Sequence, residues 1–78
     1  MEKVITATGK EFDTDYFVAP PDGMAFIRIL NSDIVEVASV FSNPDEIRVL
    51  TCGDEKIEGY SFLAVSVDRD AYKVTLQR

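Results

Sequence analysis

Residues 31–43, NSDIVEVASVFSN, decide what kind of domain this chain builds. Most of what lies on either side reads as strand. A strand here would make an all-β domain, and a helix makes an α+β domain. Asp33-x-x-Glu36 has the form of a capping box with Asp in the Ser/Thr position. Ile34, Val37, Ala38 and Phe41 share one helical stripe, and the polar residues lie off it. Four β-branched residues in the segment oppose a helix. The stripe and the closing Asn43-Pro44 favour a short helix from Asp33 to Ser42, with a strand as the other reading.

Working outward, Lys3–Thr8 is rich in β-branched residues and reads as a strand, with Gly9-Lys10 as a two-residue hairpin turn. Glu11–Val18 alternates. Phe12, Thr14 and Tyr16 point one way, and Glu11, Asp13 and Asp15 point the other. Pro20-Pro21-Asp22-Gly23 is the strongest turn signal in the chain. Met24–Leu30 is so densely apolar that it reads as a central strand covered on both faces. Beyond the helix, Glu46–Cys52 reads as a strand and Gly53–Lys56 as a polar turn. Ile57–Val67 is a long strand that Gly59 can break or bulge. Asp68–Ala71 turns the chain into a last strand, Tyr72–Leu76, with Tyr72, Val74 and Leu76 inward. The expected order is β-β-β-α-β-β-β: residues 1–78 as one small α+β domain, a mostly antiparallel sheet of about six strands with one helix packed on it. Strand order stays open. Lys73 and the Asp68/Asp70 turn are placed to blunt the C-terminal sheet edge, and the N-terminal hairpin is the less protected one.

Composition narrows the function. With 78 residues the chain buries roughly 60% of its unfolded surface, and it is 46% hydrophobic and 28% charged, as globular domains are. The net charge of −6, with eight scattered Lys and Arg residues, argues against a nucleic-acid partner and against an anionic membrane surface. No apolar run spans a bilayer, and the N-terminus lacks signal-peptide character, so a cytoplasmic location is expected. Cys52 is the single cysteine, so no intrachain disulfide forms.

The chain contains no histidine. That removes the commonest general base and metal ligand, and with it Ser-His-Asp and Cys-His catalysis. Cys52 has Asp54 and Glu55 as neighbours, which raise rather than lower a thiol pKa. It reads as a small residue at a strand end. One cysteine and no histidine leave no zinc site. The four glycines are too dispersed for a phosphate loop. Three acidic pairs remain: Asp13/Asp15, Asp45/Glu46 and Asp68/Asp70. Carboxylates along a straight strand stand roughly 6–7 Å apart and do not converge on an ion. The Asp13/Asp15 face therefore reads as solvated surface. A paired-carboxylate hydrolase needs a cleft that so small a domain can hardly spare. No catalytic, cofactor-binding or metal residue is assigned and no cofactor is expected. Tyr16 and Phe17 fall on opposite faces of one strand, so one of them is a candidate exposed aromatic.

Thr8–Phe12 (TGKEF), Tyr16–Pro20, Ile34–Phe41, Asp45–Val49 (DEIRV) and Gly59–Leu76 together resemble small proteins of unknown function encoded in prophage regions of gut Firmicutes. The resemblance spans most of the chain and brings no functional residues. It implies a bacterial or phage origin and an accessory or structural part of a phage particle. The expectation is therefore a non-enzymatic structural or protein-interaction module, self-associating as a homo-oligomer or docking on a protein partner through a sheet edge or aromatic patch. The alternative is a small-ligand or divalent-metal-binding regulatory domain using the acidic strand face.

Overall fold

The computed structural model describes residues 2–78. Its elements are β1 (Glu2–Ile5), β2 (Glu11–Val18), β3 (Met24–Leu30), α1 (Ile34–Phe41), α2 (Pro44–Ile47), β4 (Val49–Cys52), β5 (Glu55–Glu58), β6 (Ser61–Asp68) and β7 (Ala71–Gln77). The domain is α+β. One antiparallel sheet of seven strands runs in the order β5-β4-β1-β2-β3-β7-β6, and the helical segment packs on one side of it.

Residues 34–41 are helical because their start is capped and their stripe is buried. Asp33 is the N-cap, and its carboxylate accepts a hydrogen bond from the Glu36 N–H at 2.9 Å. Val37, Val40 and Phe41 are buried, and the Phe41 ring meets Phe12 of β2 at 5.2 Å between centroids. Full burial stabilises each such side chain by roughly 1.5–3 kcal/mol, several times the helix propensity lost to β-branching. Ile34, on the expected stripe, is exposed at the helix start. The chain does not return to strand after Ser42. Asn43 caps a second single-turn helix, α2, with its side chain accepting from the Asp45 N–H at 3.0 Å and Pro44 in the first turn. Glu46 and Ile47, expected in a strand, therefore lie in α2, and the strand starts at Val49.

Four other expectations change. First, β1 ends at Ile5, and the hairpin turns through Ala7, Thr8 and Gly9, with the Thr6 N–H donating to the Lys10 carbonyl at 2.8 Å. Gly9, at φ 95°, takes the left-handed position that ends a three-residue loop. Second, β2 shifts register against β3 between Thr14 and Tyr16. The extra residue is Asp15, and Thr14 Oγ1 bridges the irregularity, accepting from the Tyr16 N–H at 3.2 Å and donating to its carbonyl at 3.0 Å. The shift sends Phe17 toward the core and Tyr16 outward, 47% exposed, so Tyr16 leaves the face it was expected to share with Phe12 and Thr14. Third, β3 is central but covered on one face only. Ala25, Ile27 and Ile29 are buried, while Met24, Phe26, Arg28 and Leu30 stay half-buried. Fourth, Glu55 and Lys56, expected in the polar turn, belong to β5, and the long strand takes the break that Gly59, at φ 79°, allows, which raises the strand count to seven.

The edges are not those expected either. The N-terminal hairpin is interior, with β1 between β4 and β2, and β7 lies between β3 and β6. The outermost strands are β5 and β6, and only Gly59 and Tyr60 join them. Two edges of a seven-stranded sheet can be so linked only if the sheet curls until they meet at that corner. Tyr60 is buried there, and α2 packs against both β4 and β6. The curled inner face holds Val4, Phe12, Ile27, Ile29, Leu50, Val74 and Leu76 around Phe41.

Candidate functional site

The two edges differ in a way that their sequences dictate. β5 is four residues long, EKIE, with Glu55, Lys56 and Glu58 exposed and Ile57 alone buried. Charge on a short strand is the usual protection against pairing with another chain. β6 is eight residues, SFLAVSVD, and carries no charge before Asp68 and no proline. Leu63 is 47% and Val67 73% exposed. One side of β6 pairs with β7 from Ser61 to Asp68. On its other side no backbone–backbone hydrogen bond occurs among the described residues. A single irregularity falls at Leu63, between Phe62 and Ala64.

The Asp68 end of this edge is held by Arg28, whose side chain is 19% exposed. Its guanidinium donates to Asp68 Oδ2 at 3.0 Å, to the Asp68 carbonyl and Asp70 Oδ1 at 3.3 Å each, and to Asp15. One cation thus ties the β6–β7 turn to the outward-looking carboxylate of the β2 bulge. Beyond the turn lies an open concavity of about 610 Å³, lined among others by Asn31, Asp33, Val67, Arg69 and Asp70. Asn31 and Arg69 both take left-handed backbone, at φ 58° and 61°. Ile34 and Val35, exposed at the start of α1, follow directly on Asp33.

The acidic pairs of the sequence are distributed rather than convergent. Asp13 accepts from Lys3 Nζ at 2.7 Å and Asn31 Nδ2 at 2.9 Å, which holds its carboxyl below the ordinary range, the Lys3 bond most strongly. Asp15 faces Arg28. Among the described residues no three His, Cys, Asp or Glu side chains are grouped to hold a metal ion. Asp45 is exposed in the first turn of α2, while Glu46 is buried. Glu46 Oε1 accepts from Thr6 Oγ1 at 2.8 Å and Thr8 Oγ1 at 2.5 Å, and Lys10 Nζ lies 3.3 Å from Oε2. The Thr8 and Thr6 hydroxyls, ahead of Lys10, lower its pKa. Cys52 is buried, with its thiol 3.6 Å from Glu2 Oε1. Burial first, then Glu2 and Glu55, raises its pKa, the opposite of an activated nucleophile.

The sequence reading missed the β6 edge and the role of Glu46. The contrast between EKIE and SFLAVSV was a usable signal for the first once β5 and β6 are known to be the edges. For the second, Thr6, Thr8 and Lys10 carried no mark that they would converge on α2. Among the described residues no helix is long and apolar enough to cross a membrane. No protein-family model matches the chain, and neither a curated protein nor a solved structure matches it.

Proposed function

We propose that this protein is a non-enzymatic protein-interaction module that docks by strand addition at the free edge of β6. The observation that supports this most is the asymmetry of the edges: β5 is short and charged, whereas β6 is long, uncharged before Asp68 and apolar at Leu63 and Val67. Strand addition takes affinity from backbone hydrogen bonds and specificity from alternate side chains, and β6 offers both. The outer aromatic patch of Tyr16 and Phe26 is a poorer surface, because Lys73 lies 5.8 Å over the Phe26 ring and Arg28 stands opposite Tyr16. The resemblance to prophage-encoded proteins gives the module a setting, as an accessory part of a phage particle or of its assembly in the bacterial cytoplasm. The metal-binding alternative has less support, since Asp13 and Asp15 are already bonded to Lys3 and Arg28.

Photo-crosslinking in the source cell tests this reading. A crosslinker replacing Val67 is expected to capture a discrete protein adduct, either another protein or a second copy. The same probe replacing Glu58 on the charged edge is expected to capture none. Equal labelling from both edges, or none from Val67, overturns it.

A further inference from the structure

We infer that the occupant of the β6 edge is a second copy of this chain, paired antiparallel across a twofold axis at Val65. The inference rests on the reading of β6 as a docking edge and names what docks there. A twofold interface must be self-complementary, so that where residue i meets j, j also meets i.

β6 has that property. Leu63 and Val67, its two exposed large apolar residues, stand two residues to either side of Val65. In an antiparallel pair, opposed residue numbers have a constant sum. With Val65 opposite itself, Leu63 of each copy lies opposite Val67 of the other, and Ala64 lies opposite Ser66. The faces agree as well. Val65 and Val67 stand in the rows of Val74 and Tyr72, which pack on the core, and Leu63 is the unpaired extra residue between Phe62 of the Leu76 row and Ala64 of the Thr75 row. Moving the register by one residue sets core-side residues against outward ones.

Charge favours the same contact. A chain of net charge −6 repels its own copy over most of its surface. Ser61–Val67 is uncharged, so the copies meet there without opposed like charges. At each end of the contact the same sum sets Asp68, the last residue of β6, opposite the uncharged Phe62 of the other copy, so no like charges are opposed there either. The contact also closes: each copy uses its β6, and the charged β5 edges are left at the ends of a continuous sheet.

Sedimentation equilibrium from about 1 µM to about 1 mM protein, with circular dichroism to verify folding, tests the inference. The expected species is a dimer of the 8.7 kDa chain. Leu63→Lys and Val67→Asp are each expected to weaken it by about tenfold or more, since each sets a charge against an apolar residue. The double variant L63K/V67D is expected to regain dimerisation, because each new lysine then faces a new aspartate. A wild-type monomer throughout this range overturns the second copy as occupant. So does a dimer that the single variants leave unchanged, or one that the double variant fails to restore. A monomer whose Val67 probe still captures a different protein sinks this inference and leaves the docking reading standing; a monomer with no adduct sinks both.

Discussion

Glu46 shows how one carboxylate can be structural. It reaches from α2 to the β1–β2 hairpin and takes two threonine hydroxyls and one lysine. The Ala7 N–H donates to the Glu46 carbonyl at 2.8 Å, so main chain and side chain make the same junction. Because the folded carboxyl titrates below its ordinary value of 4.5, the unfolded chain binds that proton first as pH falls. The contribution is thus complete above about pH 4.5 and disappears as pH drops through the folded pKa. Glu46→Gln is expected to lower Tm at pH 7 by roughly 5–15 °C, since hydroxyls lose an ionised acceptor. It should also flatten the fall of Tm with pH below 4.5; melting curves at pH 7, 5 and 3 read both effects. Arg69 makes the opposite case. It holds φ 61° in the β6–β7 turn, and its exposed side chain makes no ion pair among the described residues. Arg69→Gly relieves a left-handed residue and is expected to stabilise the fold by about 0.5–1 kcal/mol in urea titration. An unchanged or lower midpoint contradicts that account.

At the scale of elements, the strength of each sequence signal tracks how local its physics is. The helix was legible because Asp33 caps it within one turn and Val37 and Phe41 share its stripe. Asp33→Ala should therefore cost about 1 kcal/mol by denaturant melting, the usual worth of an N-cap. A loss near zero would mean that α1 is held by Val37, Val40 and Phe41 alone. The last strand was legible for a similar reason, with Val74 and Leu76 buried as their alternation requires. The β2 irregularity was not legible. Glu11–Val18 alternates without fault, and only the use that Thr14 makes of its hydroxyl reveals that Asp15 is an extra residue. The α2 turn was hidden similarly: Asn43-Pro44 signals an end and a beginning equally well, and Ile47 and Val49 suit a strand as readily as a helix. For the candidate site, what the sequence showed was composition, an uncharged stretch from Ser61 to Val67. That this stretch borders nothing on one side depends on strand order, which no local pattern encodes.

Strand order belongs to the molecule as a whole. β1 meets β4 through Val4 and Cys52, and β3 meets β7 through Ile27 and Val74, pairings between segments far apart in the chain. Read against chain order, the sheet divides cleanly. Residues 2–58 supply the adjacent strands β5-β4-β1-β2-β3 with both helices, and residues 61–78 supply the β7–β6 hairpin, added along β3. The break at Gly59 thus separates a body from a donated hairpin, and the protein is a natural candidate for splitting in two. Fragments 1–58 and 59–78, made separately, are expected to reassemble on mixing, with the hairpin completing the sheet as a donor strand does. Recovery of the intact chain's circular dichroism and a single cooperative melt would show it, and fragments that stay apart at about 100 µM would show that the covalent link at the corner is indispensable.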